Sequence, residues 1–315
     1  MTYREEWLQT RALIAADYGL PHPSLEGIRN AQDKETLRKI LQKADIASIR
    51  YQTSKIPNLS KDASRFGFPF FIKPTKGIRS EWARWISKQE DLDQYIRSVK
   101  RYPTVCCDSF LLEEAIVGHE VDVDLVMYEG ELLYAEVSDN FPVYQPFALE
   151  TGHIMPSILS EELKRTITEC AYKAVLACGY DRGVLHVELM LQPDGKIVLI
   201  ELNGRLGGMY IASWHEAIWG VDLIKAELAI SSGVDPSPFL KKEKALRALA
   251  QLCVTTNQDE PLSVCGDLEI KAWKNFQEIQ KNGDICSLDQ WIEFPYTRDI
   301  AINGHVNMEI GRAHV

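Results

Sequence analysis

VLHVELMLQPDGKIVLIELNGRLGG, residues 184–208, decides the reading of this 315-residue chain. Two apolar runs of strand length flank Pro193-Asp194-Gly195-Lys196, and a Pro/Asp/Gly cluster between β-rich runs forms a hairpin turn. With those four residues as the loop, Gln192 pairs with Ile197, and counting back two residues at a time sets Glu188 opposite Glu201 and His186 opposite Asn203. Side chains alternate across a strand, so all four share one face. Like charges directly opposite on an antiparallel pair are destabilising, and the two carboxylates therefore need a cation between them. Two carboxylates and an amide oxygen suit a hard divalent ion such as Mg²⁺, which takes further oxygens from water and substrate phosphates. Arg205 and Gly207-Gly208 follow at once, adding a phosphate-binding guanidinium and a backbone that can approach an anion. The plain alternative is a hairpin whose charges lie in water. The clustering of His186, Glu188, Glu201, Asn203 and Arg205 favours a site.

The length allows about two domains of ordinary size, and 45% hydrophobic with 25% charged residues is a globular composition. A formal charge of -10 with scattered Lys and Arg argues against nucleic acid as a partner. An anionic substrate then needs locally placed cations or a metal. No run approaches the ~18 to 20 apolar residues of a membrane span, and the start MTYREEW lacks the apolar centre of a signal peptide. The expected location is cytoplasmic, with no membrane partner. Seven cysteines (Cys106, Cys107, Cys170, Cys178, Cys253, Cys265 and Cys286) show no C-x-x-C spacing, so reduced and mostly buried thiols are expected.

Along the chain, residues 4–18 predict a helix closed by Gly19, and Asp33 caps a second helix, KETLRKILQKADI, with Leu37, Ile40 and Leu41 on one face. Lys34 falls in its first turn, where a cation opposes the helix dipole unless an anion lies nearby. FGFPFFIKPTKG is a short strand ending at Lys73, an ammonium that needs an anionic partner if buried. Residues 78–86 read as a resumed strand and LDQYIRSV as a helix. FLLEEAIVGHEVDVDLVMYEGELLYAEVSD gives one strand ending near Glu114, a break at Gly118, a strand with Glu120, Asp122 and Asp124 on one face, and a hairpin at Glu129-Gly130. Most of these acids read as structural. Glu150 to His153 read as loop, where binding residues concentrate. Ser160 caps a helix ending at Gly179, and two helices reach about Ser232, the second capped by Asp222.

Together these strings resemble the ATP-grasp carboxylate-amine ligases from Lys34 to about Gly233. The resemblance implies an α+β fold in which two α+β lobes clasp ATP, with most of an N-terminal α/β pre-grasp domain missing. Residues 1–33 would be the remnant of that domain, 34–235 the ATP-grasp domain (34–112 the small lobe, 113–235 the large), 236–309 a C-terminal lobe and 310–315 a non-native tail. ATP and Mg²⁺ (or Mn²⁺) are the implied cofactors, and the implied chemistry is phosphorylation of a carboxylate followed by attack of an amine.

By this likeness Glu188, Glu201 and Asn203 hold the metal. Lys34 and Lys73 match the lysines on ATP phosphates in D-alanine:D-alanine ligase-like members. Glu113, Glu114 and Ile116 lie in the segment that reads adenine, and Glu120 accepts from the ribose hydroxyls. ETGHIMPS with ELNGRLGG is similar to the bacterial L-amino-acid dipeptide ligases, which implies that Glu150, His153, Arg205 and Gly208 line an amino-acid pocket. Arg205 and Lys73 would stabilise transferred charge and His153 would act as base. EVSDNFPVYQPFALETGHIMPS, ELNGRLGGMYI and WGVDL resemble the carnosine synthase branch, which joins β-alanine to L-histidine. One departure is GIRSEWARW, which carries Trp82 where the family has a glycine-rich phosphate loop. The implied partners are small amino-acid substrates, homo-oligomerisation being left open. The rival reading is a non-catalytic nucleotide- or partner-binding chain, or a dipeptide ligase for other amino acids.

Overall fold

The computed structural model describes residues 4–256 apart from 47, 78, 79, 81, 102–108, 144, 149, 209 and 243, and beyond these residues 287–289 and 306–314. A 3-10 turn (Glu5–Trp7) runs into α1 (Leu8–Asp17). Next come α2 (Leu25–Gln32), whose Ser24 cap accepts from the Gly27 N–H, and α3 (Lys34–Lys43), whose Asp33 cap accepts from the Thr36 N–H at 2.9 Å. Leu37 and Leu41 are buried while Ile40 is half-buried, as the spacing predicts. The sequence reading had no counterpart to α2.

The small lobe follows as β1 (Tyr51–Lys55), α4 (Leu59–Phe66), β2 (Phe70–Pro74), β3 (Arg84–Ile86), α5 (Gln89–Arg101) and β4 (Ser109–Glu114). Its antiparallel sheet has the order β1-β4-β2-β3. Apolar residues of α4 and α5 (Leu59, Ala63, Leu92, Val99) pack on Phe70, Ile72, Phe110 and Leu112. The strand expected from residue 78 is shorter, beginning at Arg84. Trp82 takes φ +61, a left-handed conformation that no strand accepts, and its ring drops into the lobe core against Tyr95.

The large lobe contains β5 (His119–Tyr128), β6 (Glu131–Asn140), β7 (Gly152–Met155), α6 (Glu161–Cys178), β8 (Gly183–Leu191), β9 (Ile197–Asn203), α7 (Ile211–Trp219) and α8 (Leu223–Ser231), followed by β10 (Leu249–Thr256), β11 (Ser287–Asp289) and β12 (Val306–His314). They form one sheet of order β11-β12-β10-β7-β6-β5-β8-β9, antiparallel throughout the described pairings. Glu129 and Gly130 have φ 52 and 84, the two-residue turn expected between β5 and β6. Ser160 and Asp222 cap α6 and α8 as their positions suggest.

His153, expected in a loop, belongs to β7, where it pairs with Asn140 on one side and Gln251 on the other. It is a sheet position rather than a loop. Residues 249–256 extend that same sheet as β10, with β12 beside it. The β8–β9 loop is also tighter than the expected Pro193 to Lys196: the Gln192 N–H bonds Lys196 O, Gly195 N–H bonds Gln192 O, and Gly195 takes φ +86. This is a three-residue turn closed by a left-handed glycine. Leu191 rather than Gln192 therefore faces Ile197, and Ile200 bulges out to restore Glu188 opposite Glu201 and His186 opposite Asn203.

One face of the large sheet (Val121, Val123, Leu125, Leu185, Val187, Leu189) packs on α1, α2, α3 and α6. On the other face Val126 and Val184 lie under α7 and α8 with Trp214, Ile218 and Ala226. Each fully buried side chain of this kind contributes roughly 1.5–3 kcal/mol. Further along the same face β5 and β8 turn polar at Asp124, Asp122, Glu120, His186 and Glu188. The fold thus leaves one half of a covered face for chemistry.

Candidate active site

Cross-strand partners share a face, so the pairings lay out a polar band across the sheet. Gln251, His153 and Asn140 run from β10 through β7 to β6. The Asn140 amide donates to Asp122 Oδ1 at 2.9 Å, and Asp122 faces Glu188, which faces Glu201. Below them Asp124 faces His186 and His186 faces Asn203. Asp122 and Asp124 are 3% and 0% exposed, too buried for the ordinary solvent-facing acids of an amphipathic strand.

The three residues expected to hold a metal converge. The Asn203 amide donates to Glu188 Oε1 at 3.1 Å, and Lys34 Nζ lies 2.6 Å from Glu201 Oε1. Burial, then Glu201 and Asp122, push the Glu188 carboxyl well above the usual carboxylate range. Burial also raises Glu201, but Lys34 and Lys73 outweigh it and hold that carboxyl below its ordinary value. One acid of the pair is thus kept ionised and the other is driven toward its neutral form, the strain that a divalent cation relieves. Among the described residues no group of three or more His, Cys, Asp or Glu is placed to hold a metal. The residue set here is two carboxylates and an amide, which fits Mg²⁺ or Mn²⁺ with open positions left for water or phosphate once the Asn203 oxygen, turned to Arg205 in this arrangement, swings toward the acids.

The lysines have carboxylate partners. Lys73 Nζ is 2.8 Å from Glu113 Oε2, and Arg38 Nε reaches Glu113 Oε1. Burial alone raises Glu113, but Arg38 and Lys73 outweigh it and bring the carboxyl down to about 2. Arg38 also donates to the carbonyls of Leu199 and Ile200, at the bulge of the edge strand β9. It thereby joins α3, β4 and β9 in one buried cluster. Arg38 escaped the sequence reading because its partners Leu199 and Ile200 lie 161 and 162 residues away.

Glu113 and Glu114 end β4, and Ala115 to Gly118 cross from the small sheet to the large one. Glu114 is exposed and Ile116 half-buried, whereas the Glu113 side chain is committed to the ion cluster and its backbone lies between Tyr51 and Phe71 inside the small sheet. Glu120 is pushed up to about 7 by burial and then by Glu150. Glu150 is exposed, and its charge also acts on Asp122, His153 and Glu188, which places it at the mouth of the band. His153 is 4% exposed, packs edge-on to Trp214 with centroids 5.9 Å apart, and is shifted below the ordinary histidine value by burial. Its Nδ1 has no hydrogen-bond partner. Arg205 donates to Leu206 O (2.9 Å) and Asn203 Oδ1 (3.3 Å), and Gly208 faces open space.

Beneath the band lies a buried relay that sequence reasoning missed. His186 Nδ1 is 2.9 Å from Asp124 Oδ1, His215 Nε2 is 3.2 Å from Asp124 Oδ2, and Tyr134 Oη is 2.7 Å from His215 Nδ1. Burial disfavours an imidazolium, but Asp122 and Asp124 outweigh it and raise His186 to about 10. The 207 position seals this pair: a Cβ there meets Ile211 Cδ1 at 2.7 Å and both Asp124 Oδ1 and His186 Nδ1 at 3.0 Å, so only glycine lets the loop lie on the relay.

Two lobes joined at Glu113–Gly118, with acids and lysines meeting between them, are the arrangement of a nucleotide-clasping ligase fold, and residues 66–213 match the family model of the ATP-grasp domain. The chain has the ATP-grasp fold. Among curated relatives it is 42% identical over 129 residues to carnosine synthase 1 of Gallus gallus, covering 41% of this chain and 14% of that protein. It is 26% identical over 250 residues to alanine--anticapsin ligase of Bacillus subtilis (strain 168), covering 73% of this chain and 52% of that one. The chain therefore spans about half the length of the Bacillus relative and far less of the Gallus one. The crystal structure of an L-amino acid ligase from Bacillus licheniformis superposes with a TM-score of 0.73 at 19% identity, over 100% of this chain and 74% of that chain. At that identity the likeness is one of fold.

Proposed function

We propose that this chain carries the nucleotide-binding and ligation site of an ATP-dependent ligase that joins two amino acids through an acyl phosphate. The observation that carries the reading is the facing pair Glu188–Glu201 with the Asn203 amide on one and the Lys34 ammonium on the other. Mg²⁺ or Mn²⁺ held by Glu188, Glu201 and Asn203 would shield phosphate charge and orient the group in transfer. Lys34 and Lys73 would meet phosphate oxygens, a role supported by their positions beside Glu201 and Glu113, the carboxylates that balance them. Arg205 offers its remaining N–H groups to the carboxylate being activated or to the transferring phosphoryl group. Positioning and electrostatics do most of the work, with no nucleophilic side chain.

The incoming ammonium must lose a proton before attack. His153 suits that step because burial keeps its ring neutral and Nδ1 is unpaired. Glu120, at about 7, is the partner proposed for the ribose hydroxyls, and Glu113, Glu114 and Ile116 lie in the proposed adenine segment. Glu150, His153, Arg205 and Gly208 form the proposed amino-acid pocket.

Within this class the substrates favoured are β-alanine and L-histidine, supported by the higher identity to carnosine synthase 1 than to the anticapsin ligase. The test is a panel of amino-acid pairs scored by ADP formation. Turnover with β-alanine and L-histidine above all other pairs supports the finer reading; turnover with α-amino-acid pairs alone replaces it. The second reading, nucleotide binding without ligation, is favoured by Trp82 in the phosphate-loop segment. ATP binding without amino-acid-dependent ADP formation would select it.

A further inference from the structure

The N-terminal 3-10 turn brings a carboxylate into the site from outside the ATP-grasp stretch. Glu5 Oε2 lies 3.2 Å from Arg205 Nε, with the two side chains 15% and 22% exposed. The turn is anchored: the Glu5 carbonyl accepts from Gln32 Nε2 at 2.6 Å, and Gln32 Oε1 accepts from Gln9 Nε2 at 2.6 Å. Gln32 ends α2, two residues before Lys34. Arg205 is thus gripped from two sides. Its Nη1 and Nη2 bond its own loop at Leu206 O and Asn203 Oδ1, and its Nε edge meets Glu5.

The contact at Nε is one of charge, since Glu5 Oε2 is buried without an aligned hydrogen bond. Burial raises the Glu5 carboxyl against the pull of Arg205. A desolvated carboxylate is costly to keep unless its partner needs it. The alternative anion for Arg205 is Glu201, whose carboxyl already lies in its field. Without Glu5 the guanidinium would settle toward the metal-binding acids.

We propose that Glu5 is a positioning residue for Arg205, holding the guanidinium beside Asn203 and away from Glu201 so that its free N–H groups face the anionic group of the substrate. The functional half of this inference rests on the ligase reading above; the geometric half does not.

The full chain is tested as Glu5→Gln and Glu5→Asp. The Arg205 Nε–Hε NMR signal, assigned by its loss in Arg205→Lys, should be sharp in the parent chain, shifted and broadened in Glu5→Gln, and largely restored in Glu5→Asp. In turnover, Glu5→Gln should raise KM for the carboxylate substrate about tenfold, the order expected for a charge-assisted contact, with KM for ATP unchanged. Adding Glu5→Gln to Arg205→Lys should cost nothing further. An unmoved signal in Glu5→Gln overturns the assignment, and so does a broadened signal in an enzyme whose kcat and KM are unchanged. If the parent chain shows no amino-acid-dependent phosphate release, the ligase reading fails while the NMR comparison still decides what Glu5 does. A matching thermal midpoint for Glu5→Gln separates loss of positioning from loss of fold.

Discussion

Lys34 Nζ sits 2.6 Å from Glu201 Oε1, so the first residue of α3 and a residue of the edge strand β9 form one ion pair. A cation in the first turn of a helix is unfavourable to the dipole, and the neighbouring carboxylate is what offsets it. The same ammonium keeps Glu201 ionised while Glu188 is driven toward neutrality.

Lys34→Ala should therefore act on ligand binding more than on folding. Its loss frees Glu201 to protonate, so the thermal midpoint should move by only a few degrees, the equivalent of about 1 kcal/mol. Nucleotide affinity with Mg²⁺, read by calorimetry, should fall at least about tenfold because a phosphate-facing charge is gone. An unchanged affinity would remove Lys34 from the nucleotide site.

Glu113 carries the opposite balance. It is the shared counter-charge of two buried cations, and Glu113→Gln leaves Arg38 and Lys73 uncompensated, a loss expected near 3–5 kcal/mol in denaturant unfolding. The pH dependence follows from its depressed value. A carboxyl at 4.5 when unfolded and about 2 when folded stabilises the protein above pH 4.5 and loses that contribution as pH falls toward 2. The parent chain should lose stability through that window, and Glu113→Gln should show a shallower fall.

Counting from the turn on strict alternation gave the pairing of Glu188 with Glu201, although β9 does not keep that alternation. The turn was misplaced by one residue and the bulge at Ile200 cancelled the error. Nothing in the apolar run Ile197 to Ile200 marks a bulge, and the Arg38 guanidinium that bonds the carbonyls there comes from a distant part of the chain. His153 read as loop because β7 is four residues long between Thr151 and Pro156, and its strand state depends on the tertiary neighbours β6 and β10. Glu5 and the Asp124–His186–His215 relay are long-range contacts for which local pattern has no signal.

His153 gives a prediction with a definite direction. Burial holds its ring below the ordinary histidine value of 6.5, so it stays neutral at pH 7 and protonates only in more acid solution. Amino-acid-dependent turnover should be flat around neutrality and fall below pH 6.5. His153→Asn should remove that acid limb while lowering kcat, a contribution on the order of 10²–10⁴-fold for a general base. An acid limb that survives the substitution would assign it to another group.

Gly207→Ala tests the seal over the relay. The added methyl meets Ile211, Asp124 and His186 within 3.0 Å, so the loop carrying Arg205 must lift. The expected cost is about 1–3 kcal/mol of stability from overpacking, with a larger proportional loss of turnover than of folded protein, read by comparing ADP formation with the unfolding midpoint.

The most direct measurement is ADP formation by Glu201→Gln with Mg²⁺, ATP and the amino-acid pair the parent chain uses. Glutamine keeps the shape but removes the charge that faces Glu188 and pairs with Lys34. We expect a folded protein with no ADP release above background. A folded Glu201→Gln chain that releases ADP at close to the parent rate would contradict the metal assignment and the ligase mechanism built on it.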